Sequence, residues 1–124
     1  MNPGSGVLSG RRILVVEDEV MISMMLADLL TSAGAVVVGP VGTTTGALAF
    51  VEQEAIHCAV LDVKLLDGKS VPVAEALAAR GIPFLLATGY RREAIPPEYN
   101  GAPVLHKIFL PDELIDAIAE ILRP

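Results

Sequence analysis

Four apolar runs in this chain each end in a polar residue that could do chemistry. Residues 12–16 run into Glu17 and Asp18, 58–61 into Asp62, 82–87 into Thr88, and 103–106 into Lys107. Carboxylates are hard oxygen donors that suit a divalent cation. A hydroxyl and an ammonium suit the oxygens of a phosphoryl group. Taken singly, each piece is ordinary. An acidic pair at a strand end usually just complements a helix N-terminus, a lone Thr is a turn residue, and a strand-end Lys is solvated. The weight lies in all four occurring together, in order, in one chain.

For those ends to meet, the runs must lie side by side and point the same way. Short apolar runs alternating with helical patterns read as buried parallel strands, and ligands sit beyond the carboxyl ends of such a sheet. The helical patterns are present. Ile22, Met25, Leu26, Leu29 and Ala33 recur at helical spacing and Gly34 closes them. Residues 35–41 form the second strand, and Thr43 or Thr44 caps a helix carrying Ala47, Leu48 and Val51. Asp67-Gly68 makes a turn before a Ser70-capped helix that stops at Arg80-Gly81. The helix expected over residues 90–95 is short, weakly periodic and stopped by Pro96-Pro97. Pro111 opens a last helix with Asp112 and Glu113 in its first turn and Leu114, Ile115, Ile118, Ile121 and Leu122 inward. The reading is an α/β chain of five βα units, a doubly wound parallel five-stranded sheet between two helix layers. Residues 1–10, rich in Gly, Ser and Pro, read as a mobile leader, and 11–124 as one domain.

Composition narrows the function. The chain has 124 residues, 52% of them hydrophobic and 19% charged, which suits strands covered on both faces. A net charge of −6 and only 4% aromatics argue against direct nucleic-acid binding. No apolar stretch is long enough to span a bilayer and no signal layout opens the chain, so a cytoplasmic location is expected. Cys58, alone in an apolar run, reads as a core residue. His57 and His106 lack metal-ligand spacing, and His106 should face away from Lys107 on a regular strand.

Two decoys fall. Gly68-Lys69-Ser70 looks like the tail of a phosphate-binding P-loop, but position 63 is Val where that loop needs Gly. A haloacid-dehalogenase-type phosphatase would place a second Asp two residues after the nucleophile, where this chain has Lys64.

Leu14-Val-Val-Glu-Asp18, Val60-Leu-Asp-Val-Lys-Leu-Leu-Asp-Gly68, Ala87-Thr88-Gly89 and Lys107 resemble a response-regulator receiver domain, over nearly the whole chain. Pro83-Phe-Leu-Leu-Ala-Thr-Gly-Tyr90 further resembles the single-domain receivers nicknamed FAT GUY, with Leu86 in place of the motif's second Phe. The resemblance implies a flavodoxin-like strand order 2-1-3-4-5, with residues 11–124 as the receiver. It implies that Asp62 is the phosphoacceptor, taking phosphoryl from a histidine kinase or histidine phosphotransfer protein in a two-component system or phosphorelay. Asp18, Asp62 and the backbone carbonyl of Lys64 would bind Mg2+ directly and Glu17 through water, relieving crowded carboxylates. Lys107 would neutralise one phosphoryl oxygen and Thr88 would hydrogen-bond another. The chain would autodephosphorylate without being a dedicated enzyme.

Two departures from the family stand out. Ile108 follows Lys107 where most receivers have a cis-linked Pro, so nothing in the sequence forces a cis bond there. Val104 stands where many receivers carry a signalling aromatic, which leaves Tyr90 to substitute in the switch and partner face. Phosphorylation would then draw in Thr88 and reorder residues 89–99. The chain ends at Pro124, soon after the last helix, so action through a downstream protein reader is expected, as a monomer or a phosphorylation-dependent dimer. The alternatives are a phosphate sink or relay with fast phosphoryl turnover, and an unphosphorylated interaction module or flavin binder.

Overall fold

Strand β1 (Arg12–Val16) alternates its side chains between two helix layers, and the whole fold follows that alternation. The computed structural model describes residues 6–89, 95–99 and 101–123. Ile13 and Val15 join a core cluster under α1 (Val20–Ser32) and α4 (Pro111–Ile121), with Leu26, Leu30, Leu114 and Ile118. Leu14 and Val16 join a second cluster under α2 (Thr44–Gln53) and α3 (Val71–Ala79), with Ala47, Val51, Val73 and Leu77. Strand β3 (Cys58–Leu61) repeats the pattern, sending Cys58 and Val60 one way and Ala59 and Leu61 the other.

With β2 (Val36–Val41), β4 (Phe84–Thr88) and β5 (Val104–His106), the strands form one sheet in the order β2-β1-β3-β4-β5, all pairs parallel. This is the expected flavodoxin-like order. The two-residue strands Lys64–Leu65 and Gly68–Lys69 make a small antiparallel hairpin after β3. Pro97–Tyr99 forms a short 3-10 turn before β5. The helix expected over residues 90–95 lies mostly outside the described residues.

Two local readings change, and one bond left open by the sequence is now seen. Leu8, assigned to a mobile leader, is 1% exposed and packs in the first cluster. The backbone N–H groups of Gly6 and Leu8 bond the Ala33 carbonyl, so residues 6–10 are folded against the end of α1. That close approach uses Gly34 at φ +94°, where an added Cβ would come within 3.1 Å of Ser9. Met25, expected inward, is 40% exposed while Leu30 is buried. The Lys107–Ile108 peptide is cis although no proline follows the lysine.

Thr43 caps α2 as expected, its hydroxyl accepting from the Gly46 N–H at 3.0 Å. Ser70 does not cap α3 through its side chain. Its hydroxyl is turned elsewhere.

Candidate functional site

The site hangs from the carboxyl edge of the sheet by backbone hydrogen bonds. The N–H of Glu17 donates to the Val41 carbonyl, that of Asp62 to Val16, and that of Lys107 to Thr88, each at 2.9 Å. Glu17, Asp62 and Lys107 therefore each follow directly from a strand and are fixed by the strand beside it. Together Asp18, Glu19, Asp62, Lys64, Thr88, Gly89 and Lys107 line a cleft of about 420 Å3. A larger, mainly apolar groove of about 720 Å3 between α3 and the 97–103 segment includes none of them.

Lys107 is the hub. Its Nζ lies 2.8 Å from Asp62 Oδ2, 2.6 Å from Glu17 Oε1 and 3.5 Å from Glu19 Oε1. Asp62 Oδ1 accepts from the Val63 N–H at 2.7 Å, so both carboxylate oxygens are held. Glu17 Oε2 accepts from the Glu19 N–H at 3.1 Å, whereas Oε1 faces the ammonium without an aligned hydrogen bond. Burial pushes the Glu17 carboxyl up to about 7, with the charge on Asp62 adding to it and Lys107 opposing. Burial works against the Lys107 ammonium, but its hydrogen bond to Asp62 and the close negative charge of Glu17 outweigh that and hold its pKa above the ordinary value.

Three carboxylates, those of Glu17, Glu19 and Asp62, thus lie within ion-pair distance of the Lys107 ammonium. Ligand atoms of Glu17, Asp18, Glu19 and Asp62 all lie within 4.8 Å of one another. A hard divalent cation fits this set, because the donors are oxygens, the charge is in excess, and Glu17 Oε1 lacks an aligned donor. Sequence reasoning found Glu17, Asp18, Asp62, Lys64, Thr88 and Lys107, and the structure brings all six to this edge. It did not find Glu19, which lines the cleft one residue beyond the acidic pair. Thr88 is fully buried at the end of β4 and lines the cleft. Val104 is half-buried on β5, and Tyr90 lies outside the described residues.

The remaining candidates take no part. His57 is tied to β1, its Nδ1 accepting from the Arg12 N–H at 2.8 Å, and His106 is exposed. Cys58 is buried, and burial pushes its thiol up to about 12. Lys69, the lysine of the P-loop decoy, is exposed in the hairpin.

Ser70 and Tyr99 were missed in their observed roles. Ser70 Oγ donates to the Asp62 carbonyl at 2.5 Å and lies 2.8 Å from the Tyr99 hydroxyl, with both residues buried. A cap-like Ser before a helix gave no reason to look inward.

A five-stranded 2-1-3-4-5 sheet with this acidic cluster and lysine at its carboxyl edge defines a class, and the chain belongs to the response-regulator receiver, or CheY-like, family. It is 48% identical to SdrG from Sphingomonas melonis Fr1, covering 92% of this chain and 98% of that one with a TM-score of 0.80. SdrG from Pseudomonas melonis Fr1 in its BeF3-activated conformation matches at 45% identity, covering 99% and 100% of the two chains, TM-score 0.77. A CheY-like receiver domain protein from Methanospirillum hungatei JF-1 is 28% identical, covering 92% and 94%, TM-score 0.81. The transcriptional regulatory protein PdtaR of Mycobacterium tuberculosis is 27% identical over 112 residues, 90% of this chain. The chain spans about half, 55%, of that relative's length. No family model matches the chain. Among the described residues, no helix is long and apolar enough to cross a membrane.

Proposed function

We propose that Asp62 accepts a phosphoryl group from a phosphohistidine on a histidine kinase or phosphotransfer protein. The observation that carries this reading is the placement of Asp62 in the cleft, held 2.8 Å from Lys107 within a cluster of four carboxylates. A carboxylate oxygen of Asp62 attacks phosphorus, the P–N bond breaks, and its electron pair returns to the imidazole of the donor. Asp18, Asp62 and the carbonyl of Lys64 would hold Mg2+, with Glu17 acting through water. When bound, the ion neutralises carboxylates and phosphoryl oxygens in a transfer that depends on positioning and charge. Lys107 turns from Asp62 to a phosphoryl oxygen, and the buried Thr88 presents its hydroxyl to another.

The likeness to SdrG, which has a BeF3-activated conformation, supports phosphoryl acceptance as the use of this site. The response is read by a downstream protein rather than by nucleic acid, in the cytoplasm. The chain then returns to its ground state by hydrolysis of its own acyl phosphate. The resemblance of residues 83–90 to the FAT GUY receivers, with Leu86 in place of the motif's second Phe, supports a switch centred on Thr88 and the segment that follows.

Borohydride reduction after incubation with acetyl phosphate and Mg2+ tests the assignment. An acyl phosphate is reduced to an alcohol, and peptide mass spectrometry should locate that change at residue 62. A label confined to any other carboxylate would overturn the assignment.

A further inference from the structure

The geometry points to Tyr99 as a positioning residue for Asp62, acting through the Ser70 hydroxyl and the Asp62–Val63 peptide. This rests on Asp62 being the phosphoacceptor and adds how its carboxylate is aimed.

Tyr99 and Ser70 are 1% and 0% exposed, so their hydroxyls need partners inside the protein. Ser70 Oγ donates its one proton to the Asp62 carbonyl at 2.5 Å. The 2.8 Å contact between Ser70 Oγ and the Tyr99 hydroxyl must therefore be donated by Tyr99. Tyr99 also lies 3.3 Å from the Val63 carbonyl, but that carbonyl has a closer donor in the Ser70 N–H at 2.8 Å. The direction of donation is thus Tyr99 to Ser70 to Asp62. Burial raises the pKa of the Tyr99 hydroxyl, which keeps it protonated as a donor near neutral pH.

The far side of the same peptide completes the line. Its carbonyl belongs to Asp62 and receives the Ser70 proton, while its N–H belongs to Val63 and donates to Asp62 Oδ1 at 2.7 Å. The peptide is planar. Turning the carbonyl out of reach of Ser70 swings the N–H away from the carboxylate. A hydrogen bond to the carbonyl also polarises the unit and strengthens the N–H as a donor. One oxygen of Asp62 is therefore set by this line and the other by Lys107. Tyr99 stands in the turn before β5, so that turn is mechanically tied to the reacting carboxylate. Val104, where the sequence lacks an aromatic, lines the same small cavity as Tyr99.

The test compares full-length wild type, Tyr99→Phe, Ser70→Ala and the double variant. Two readouts are taken: the Val63 amide resonance without phosphate, and the rate of Asp62 labelling by acetyl phosphate with Mg2+. Tyr99→Phe keeps the ring and should keep the circular dichroism spectrum. It should shift the Val63 amide and slow labelling by about three- to tenfold, the scale of one hydrogen bond. Ser70→Ala should move both readouts the same way, and the double variant should be no slower than Ser70→Ala. A role in packing alone would leave Tyr99→Phe at the wild-type rate with an unmoved Val63 amide, and that result overturns the proposal. A wild-type chain that takes no phosphoryl group overturns the reading of Asp62, and this one with it.

Discussion

Lys107 Nζ lies 2.8 Å from Asp62 Oδ2 although 45 positions separate the two residues in sequence. The contact exists because β3, β4 and β5 are consecutive in a parallel sheet, so the residues that follow them emerge at one edge. Lys107 is also the main countercharge for the buried Glu17, so one ammonium restrains two carboxylates on neighbouring strands.

Removing that ammonium should therefore harm the metal-free fold. Lys107→Met leaves Glu17 and Asp62 facing each other without a cation, and should cost about 2–4 kcal/mol. Urea denaturation with and without Mg2+ checks it. Added Mg2+ should recover much of the loss, because its charge replaces part of what the lysine supplied.

Asp18→Ala should act in the opposite sense. It removes one of the crowded carboxylates, so the metal-free protein should melt a few degrees higher. Mg2+ affinity should fall by at least about tenfold, since a direct oxygen ligand is gone. Calorimetric titration reads the second effect, and unchanged affinity would remove Asp18 from the metal site.

Thr43→Ala should cost about 1 kcal/mol, the usual value of a helix N-cap. The Gly46 N–H loses its 3.0 Å acceptor. Because Thr43 lies outside the cleft, the extent of phosphorylation under native conditions should not change. Denaturation and labelling of the same sample separate the two.

Cys58 gives the pH prediction. Its thiol is pushed from the ordinary value of 9.0 up to about 12 by burial, so the folded state binds a proton that the unfolded state releases between those values. The stability from this group is fully present below pH 9 and is lost as pH rises toward 12. In the folded protein at pH 8, thiol reagents should react far more slowly than in urea. Rapid labelling of the native chain would show that β3 opens locally.

The chemistry was legible because it sits where apolar runs stop. Glu17, Asp62 and Lys107 each follow directly from a strand and Thr88 ends one, and strand ends are visible in a sequence. The unbroken apolar runs of β1 and β3 likewise predict a helix layer on each face of the sheet. What escaped depends on tertiary context. Helix α1 reads Val-Met-Ile-Ser-Met-Met-Leu-Ala-Asp-Leu-Leu, apolar around most of its circumference, so spacing alone could not choose Leu30 over Met25 as the buried position. Ser70 was read as a cap because it precedes a helix, but the nearby Asp62 carbonyl takes its proton instead. Tyr99 follows two prolines in a segment without periodicity, and only the fold reveals that its hydroxyl reaches Ser70 and the Val63 carbonyl beside Asp62. Leu8 lies among glycines and serines that look unstructured, yet it fills a space beside the end of α1. The cis peptide at Lys107–Ile108 has no proline to announce it.

The central claim is that Asp62 takes the phosphoryl group, and intact-protein mass measures it most directly. Wild type and Asp62→Asn are incubated with acetyl phosphate, each with and without Mg2+. The account predicts one added phosphoryl group on the wild type, only with Mg2+, and none on Asp62→Asn. An adduct of equal yield on Asp62→Asn, or on the wild type without Mg2+, would contradict it.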